Sequence, residues 1–311
     1  MRRKPARLRE APGMYEQIAR NKRISFLLVL FFVAFIFFLT WIFEEAMGWG
    51  REGLILAVVV SMISATAAYY SSDKIVLGIS KARPATKEEF PYLYNVVEGL
   101  AIAAGLPAPR CYVIEDTALN AFATGRNPGH AVICVTTGLL QKLNRVELEG
   151  VIAHEMSHIK NYDIRLQTVA VVMAGVVALL SDWMLRSFFW GGGRRRSGKD
   201  RGSGSAGAIL VLVGLALAIL SPLVAQIIKL AISRKREFLA DASGAMLTRY
   251  PPGLASALRK LTDDKEPLEA ANKATAHLYI VNPLKNVKGA FNGLFSTHPP
   301  IEDRIAALEK M

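Results

Sequence analysis

His154-Glu155-Met156-Ser157-His158 follows directly on the apolar triplet Val151-Ile152-Ala153, and a capping pair, Asn144 with Glu147 three residues on, stands ahead of both. That order predicts a helix opening at Asn144 and running through the histidines. A spacing of four places both imidazoles on one helix face, a turn apart, where two ring nitrogens can reach a single ion. Glu155, beside them, can act as general base toward a metal-bound water.

A catalytic zinc needs three protein ligands and an open position for water. The third ligand must come from elsewhere in the chain. His130 and His277 are isolated and read as ordinary polar histidines. Glu237, in Arg236-Glu237-Phe238-Leu239-Ala240-Asp241, is the better candidate. On a helix Glu237 and Asp241 share a face, so Glu237 can bind the metal while Asp241 orients a ligand histidine. The hydrophobic segments between the two motifs fit this pairing. His158 precedes one by eight residues and Glu237 follows the next by nine. Unbroken helices would hold both roughly 12–14 Å above a membrane surface, and an antiparallel hairpin would bring together a site split by 79 residues.

Farther out the chain is strongly apolar. Of its 311 residues 52% are hydrophobic, and mean hydropathy is +0.27. Ile24–Phe43 and Gly53–Ser72 are uncharged runs long enough to span hydrocarbon as helices. Leu166–Leu185 carries one charge, Asp182, and Gly202–Ile228 carries none. The first run is too long for a cleaved leader and reads as an anchor. Formal charge is +12, and it is concentrated. Residues 1–23 hold eight Lys/Arg against two Glu, and residues 186–201 hold six against one Asp. The remainder is nearly neutral, which argues against nucleic acid as a partner. Gly202 to Gly207 match G-x-G-x-x-G, but no strand precedes them and an apolar run follows, so no nucleotide site is read there. Cys111 and Cys134 lie far apart in apolar stretches and read as small buried hydrophobes.

Between the second and third apolar runs, Thr86-Lys87-Glu88-Glu89 predicts a helix ending near Gly105. Arg110–Glu115 and His130–Thr136 read as strands, and Asn120–Thr124 as extended chain. Ser233–Thr248 reads as a helix broken by Pro251-Pro252-Gly253. The resulting divisions are a basic tail (1–23), two transmembrane helices (24–72), a first catalytic part with the His-Glu helix (73–165), a hydrophobic hairpin with a basic Gly/Ser-rich loop (166–228), and a second catalytic part (229–311).

His154 to Ile159 with Asn161-Tyr162-Asp163, then Glu237 to Asp241, then Ser296-Thr297-His298-Pro299-Pro300 with Arg304, together resemble the HtpX-type membrane metallopeptidases, gluzincins related to the prenyl-protein peptidases. Asn120-Ala121-Phe122-Ala123-Thr124-Gly125 resembles a further segment of that family. The resemblance implies a mainly α-helical integral membrane protein with an α+β zincin-like catalytic domain, a small sheet plus the HExxH helix. It implies one Zn2+ per subunit on His154, His158 and Glu237, with Glu155 as catalytic base. Asp241 and Arg304 would support the ligands. Asn120, Ala121, Phe122 and Ala123 would belong to an edge strand that takes substrate backbone by β-addition. His298 would lie near the active site and help stabilise the oxyanion. The expected activity is endoproteolysis of membrane proteins on the cytoplasmic side, in protein quality control. A prenyl-protein (CAAX-type) peptidase and a non-catalytic zinc-binding scaffold are the rival readings.

The basic N-terminal tail predicts a cytoplasmic N-terminus, and Glu44–Glu52, with one Arg and three Glu, can face outward. Four crossings then put the catalytic parts in the cytoplasm and the basic loop 186–201 outside, against the positive-inside tendency. A hairpin confined to the cytoplasmic face would avoid that conflict but leave apolar surface in water.

Overall fold

The computed structural model describes residues 14–47, 50–173, 234–269, 275–283 and 299–311. Residues 174–185 at the end of the third apolar run, the fourth run, the glycine-rich motif and His298 lie outside them. The described chain is mostly helical with one small sheet.

Helix α1, Met14–Met47, is continuous across the first apolar run and begins ten residues inside the segment set off as a tail. It lies against α2, Gly50–Tyr70, and α3 (Ser72–Ile79) follows at once. Taken over the described residues alone, no helix is long and apolar enough to cross a membrane. Described residues in the runs of α1 and α2 nevertheless turn outward: Phe26, Leu27, Leu30, Ile55, Met62 and Ile63 are each more than half exposed.

Four strands form the sheet, in the order β1-β2-β4-β3. β2 (Arg110–Ile114) and β4 (Val132–Thr136) pair in parallel, and β3 (Ala121–Thr124) runs antiparallel to β4 at the edge. The other edge, β1 (Arg83–Pro84), was not legible from two residues; its proline is tolerated because an edge strand has one side free of ladder bonds. Cys111 and Cys134 are free and buried in β2 and β4, and burial pushes both thiols well above their ordinary range.

The expected helix at Thr86 starts later. α4 is Pro91–Ala104, with Pro at its first turn, where the missing N–H is no loss. Thr86 caps a turn instead, its hydroxyl accepting from the Glu89 amide. Gly105 closes α4 in the left-handed conformation. A short α5 (Thr137–Lys142) leads into α6, Arg145–Lys160. There the capping box is fully formed: the Asn144 side chain accepts from the Glu147 amide and Glu147 accepts from the Asn144 amide. α6 is buried on almost every side, between the sheet and helices α8 (Arg234–Thr248) and α9 (Pro251–Asp263). Two glycines permit this. A Cβ on Gly244 of α8 would stand 2.9 Å from the His154 backbone nitrogen, and one on Gly150 of α6 would stand 2.7 Å from that of Leu254 in α9. The Pro-Pro-Gly that ends α8 also opens α9, with Pro251 in its first turn.

α6 does not run straight into the third apolar segment. The chain turns at Asn161-Tyr162, Tyr162 adopting φ +59°, and residues 163–173 form a new helix, α7. The height expected for His158 on a straight helix therefore does not hold. α7 packs on α1 through Val169 and Met173 against Phe32. Asn21 meets Asp163 at the other end, so α1 and α7 leave the part that holds the sheet and α6 in the same direction. A final helix, α10 (Ile301–Leu308), closes over α9.

Candidate metal centre and active site

α6 presents His154 and His158, and α8 presents Glu237 toward them. The packing follows from spacing: Glu237, Asp241 and Gly244 recur at one-turn intervals and form the stripe of α8 that faces α6. One ligand atom from each of His154, His158 and Glu237 lies within 4.8 Å of the others. The two Nε2 atoms are 3.2 Å apart, and the Glu237 carboxylate oxygens stand 3.8 Å from His154 Nε2 and 3.6 Å from His158 Nε2. All three side chains are buried.

The hydrogen bonds assign the tautomers. His154 Nδ1 lies 2.9 Å from Asp241 Oδ1, and His158 Nδ1 lies 3.1 Å from Asp163 Oδ2. A carboxylate can only accept, so each Nδ1 carries a proton, and each Nε2 offers its lone pair once the ring is neutral, as binding a metal requires. Two lone pairs and a carboxylate thus converge on one buried point. The donor set, N,N,O, is the one a catalytic zinc takes, and each imidazole has the carboxylate partner typical of a ligand histidine.

Arg304, fully buried on α10, holds Asp241 with two bonds, Nε to Oδ2 at 2.8 Å and Nη2 to Oδ1 at 2.7 Å. Its Nη1 donates to the Ile280 carbonyl at 3.0 Å. Burial alone would raise the Asp241 pKa, but Arg304 outweighs it and holds the carboxyl down at about 2. Burial also lowers the His154 pKa, against the pull of Asp241. For His158 the balance goes the other way: burial disfavours its charge, yet Asp163 and Glu237 lift it to about 9.

Glu155 lies on the sheet side of α6, where the Ala123 backbone N–H favours its charged form. Burial pushes its carboxyl up to about 7, with the neighbouring Glu237 charge adding to the shift and His158 opposing it. A carboxyl poised there is suited to taking and returning a proton near neutral pH.

The sequence-predicted residues are therefore largely gathered: His154, Glu155, His158, Glu237, Asp241 and Arg304 form one buried cluster. Asn120 to Ala123 lie at the sheet edge beside Glu155. That edge is not bare, because the Ala121 carbonyl accepts from the Ile280 amide at 3.0 Å and the Asn120 side chain donates to the Val281 carbonyl at 2.9 Å. His130 sits on an exposed turn bonded to Asn127, and His277 is buried elsewhere; neither joins the cluster. Asp163 went unassigned in the sequence reading. It stood among the motif residues that carry the resemblance, but without a role of its own.

An HExxH helix, a glutamate from a second helix and a short sheet edge beside Glu155 define a metallopeptidase of the gluzincin type. The chain belongs to peptidase family M48, whose family model matches residues 87–311. Among its relatives, "Protease HtpX homolog" of Dictyoglomus thermophilum is 51% identical over 297 residues, 96% of this chain and 94% of that protein. The protein of the same name from Thermoanaerobacter pseudethanolicus is 47% identical over 300 residues, 96% of this chain and 98% of its own. The resemblance read from the motifs is borne out. A structural likeness to the crystal structure of S. mikatae Ste24p has a TM-score of 0.49 at 20% identity, covering 95% of this chain and 67% of that one; at that level it carries no argument about function. Family membership makes this chain a protease, with polypeptides as its substrates.

Proposed function

We propose that the chain is a membrane-embedded zinc endopeptidase, one zinc per subunit, that cuts membrane proteins on the cytoplasmic side as part of protein quality control. The observation that carries the reading is the convergence of His154, His158 and Glu237 beside Glu155. Zinc held there would acidify its water and polarise the scissile carbonyl. Glu155 takes the proton of the attacking water and returns it to the leaving amine. Substrate backbone adds to the β3 edge at Ala121 and Ala123, taking the place of Ile280. His298 helps to stabilise the oxyanion.

The membrane reading is supported by the uncharged runs in α1 and α2 and by their outward-facing Phe, Leu, Ile and Met side chains. The shared direction of α1 and α7 supports a third crossing, since α7 opens the run 166–185 alongside α1. Four crossings with a cytoplasmic catalytic site follow from the basic tail preceding α1.

The test compares wild type with Glu155→Gln and Glu237→Ala in detergent. Glu155→Gln is expected to keep its zinc and lose casein cleavage by a factor on the order of 10³. Glu237→Ala is expected to lose most of the bound zinc. A Glu155→Gln protein that cleaves at the wild-type rate would remove the base assignment; stoichiometric zinc without any cleavage by wild type would favour the scaffold reading.

A further inference from the structure

Asn21 lies on α1, three residues ahead of the first apolar run and 66 residues before the start of the family match. Nothing in its sequence surroundings marks it. In the fold it is 2% exposed, and both ends of its amide are engaged. Nδ2 donates to Asp163 Oδ1 at 2.7 Å and to the Asn161 carbonyl at 3.0 Å. Oδ1 accepts from Arg236 Nη1 at 3.1 Å. These three partners stand next to the metal cluster in different ways. Asp163 holds the Nδ1 proton of His158 on its other oxygen, Oδ2. Asn161 belongs to the turn that separates α6 from α7. Arg236 is the residue before Glu237.

We propose that Asn21 is a positioning residue for the metal centre: its amide fixes the Asp163 carboxylate, and through it the His158 ring, while tying the first turn of α8 to the same point. This rests on the zinc reading of His154, His158 and Glu237. The physical argument is orientation. A carboxylate with one oxygen on an imidazole can rotate about its Cβ–Cγ bond, and the ring can follow. A 2.7 Å bond on the second oxygen removes that freedom, so the Nε2 lone pair of His158 is aimed before a metal arrives. Asn suits the role because it donates without charge. A cation at position 21 would compete with His158 for the carboxylate, and an acid would repel it.

The supporting frame is buried and packed. Asn21, Ser25, Phe32 and Phe35 are buried along one face of α1, and Phe32 packs on Val169 and Met173 of α7. Ser25 donates to the Asn21 carbonyl at 2.8 Å. The metal site is thereby completed by a helix that enters the apolar part of the protein, and its geometry depends on how α1 sits against α7.

A chain of this kind could also be a simple staple between α1 and the catalytic part. The experiment separates the two. Zinc affinity is measured in detergent on the full chain by competition with a chelating dye, and the thermal midpoint is measured on the metal-free protein. Asn21→Leu, near-isosteric and without the amide, is expected to bind zinc about tenfold more weakly, with a metal-free midpoint lowered modestly by the partners it leaves short of a hydrogen bond. In an Asp163→Ala background the same change is expected to cause no further loss, since the carboxylate it acts through is gone. Ser25→Ala, which removes a buried polar group one turn away, is expected to bind as wild type does. If Asn21→Leu does not fold, Asn21→Ser replaces it in the same measurements. The inference is overturned by affinity within twofold of wild type, by a full tenfold loss that persists without Asp163, or by an equal loss in Ser25→Ala. Wild-type protein that binds no zinc, or whose zinc survives loss of both histidines, would instead overturn the underlying reading.

Discussion

His154 and His158 stand one turn apart on α6, yet they are held from opposite ends of the chain. His154 leans on Asp241, which Arg304 of the last helix grips with two charged hydrogen bonds. His158 leans on Asp163, which the neutral amide of Asn21 holds from the first helix, with Arg236 Nε 3.7 Å from the same carboxylate. The first arrangement neutralises a buried acid with a buried base. The second leaves more negative charge around its histidine, and the pKa directions follow: His154 is drawn down and His158 up to about 9. One support is thus chiefly a matter of stability, because an unpaired Asp241 or Arg304 would be an uncompensated buried charge. The other is chiefly a matter of aim.

The sharpest break in that comparison comes from Arg304→Met. It leaves the Asp241 carboxylate buried beside Glu237 without its cation, and removing one partner of a buried pair costs about 3–5 kcal/mol. Denaturant titration of the metal-free protein in detergent should show that loss, while Asn21→Leu, which unpairs hydrogen bonds but strands no charge without a counter-charge, should show a smaller one. Equal losses in the two variants would mean that the two supports do not differ in kind.

How much of this was open to sequence reading depends on whether the signal was local. The capping box at Asn144, the histidine spacing and the Glu237–Asp241 stripe are all written within one or two helical turns, and each was legible. Glu237 was paired with the histidines for want of a better third ligand and for the face it shares with Asp241, and the hydrophobic segments between them supported the pairing. Arg304 was placed by resemblance, and its grip on Asp241 spans 63 residues with no local pattern. Asn21 to Asp163 spans 142, and an asparagine before an apolar run looks like any helix entry. The late start of α4 has a different cause: Thr86 and Glu89 do make a capping contact, but Pro91 supplies the better first turn. The cover over β3 was hidden because Ile280 reaches it by a backbone amide, which no side-chain pattern reports.

An intermediate effect is expected from the two carboxylates themselves. Asp163→Asn and Asp241→Asn each replace an acceptor that fixes one of the two imidazoles, and changes of this type at a metal site cost about 10–100-fold in metal affinity. Chelator competition measures both. The comparison is sharpened by stability: Asp241→Asn strands the Arg304 charge and should also destabilise the metal-free protein, whereas Asp163→Asn keeps an amide within reach of Asn21 and should destabilise it less. Matching stability losses would erase the distinction between support by charge and support by orientation.

The smallest effect belongs to the other end of α6, where Glu147 tests whether losses at the histidines are local. Glu147 is 2% exposed and takes Ser256 Oγ at 2.7 Å, Lys260 Nζ at 2.7 Å and the Asn144 amide at 2.8 Å. Burial raises its pKa, but these three partners together hold it below the ordinary glutamate range. A carboxyl depressed in the folded state stabilises the protein at pH above its unfolded-state pKa, and that contribution is lost as pH falls through the folded-state value. Glu147→Gln should therefore cost about 1 kcal/mol at neutral pH, and the gap from wild type should close in acid. The difference is read on metal-free protein, so that histidine titration common to both cancels. Seven residues, about 10 Å of helix, separate Glu147 from His154, so zinc affinity at neutral pH should be unchanged. A zinc affinity that falls with Glu147→Gln as it does with Asp163→Asn would show that any weakening of α6 disturbs the metal, and that neither histidine has a support of its own.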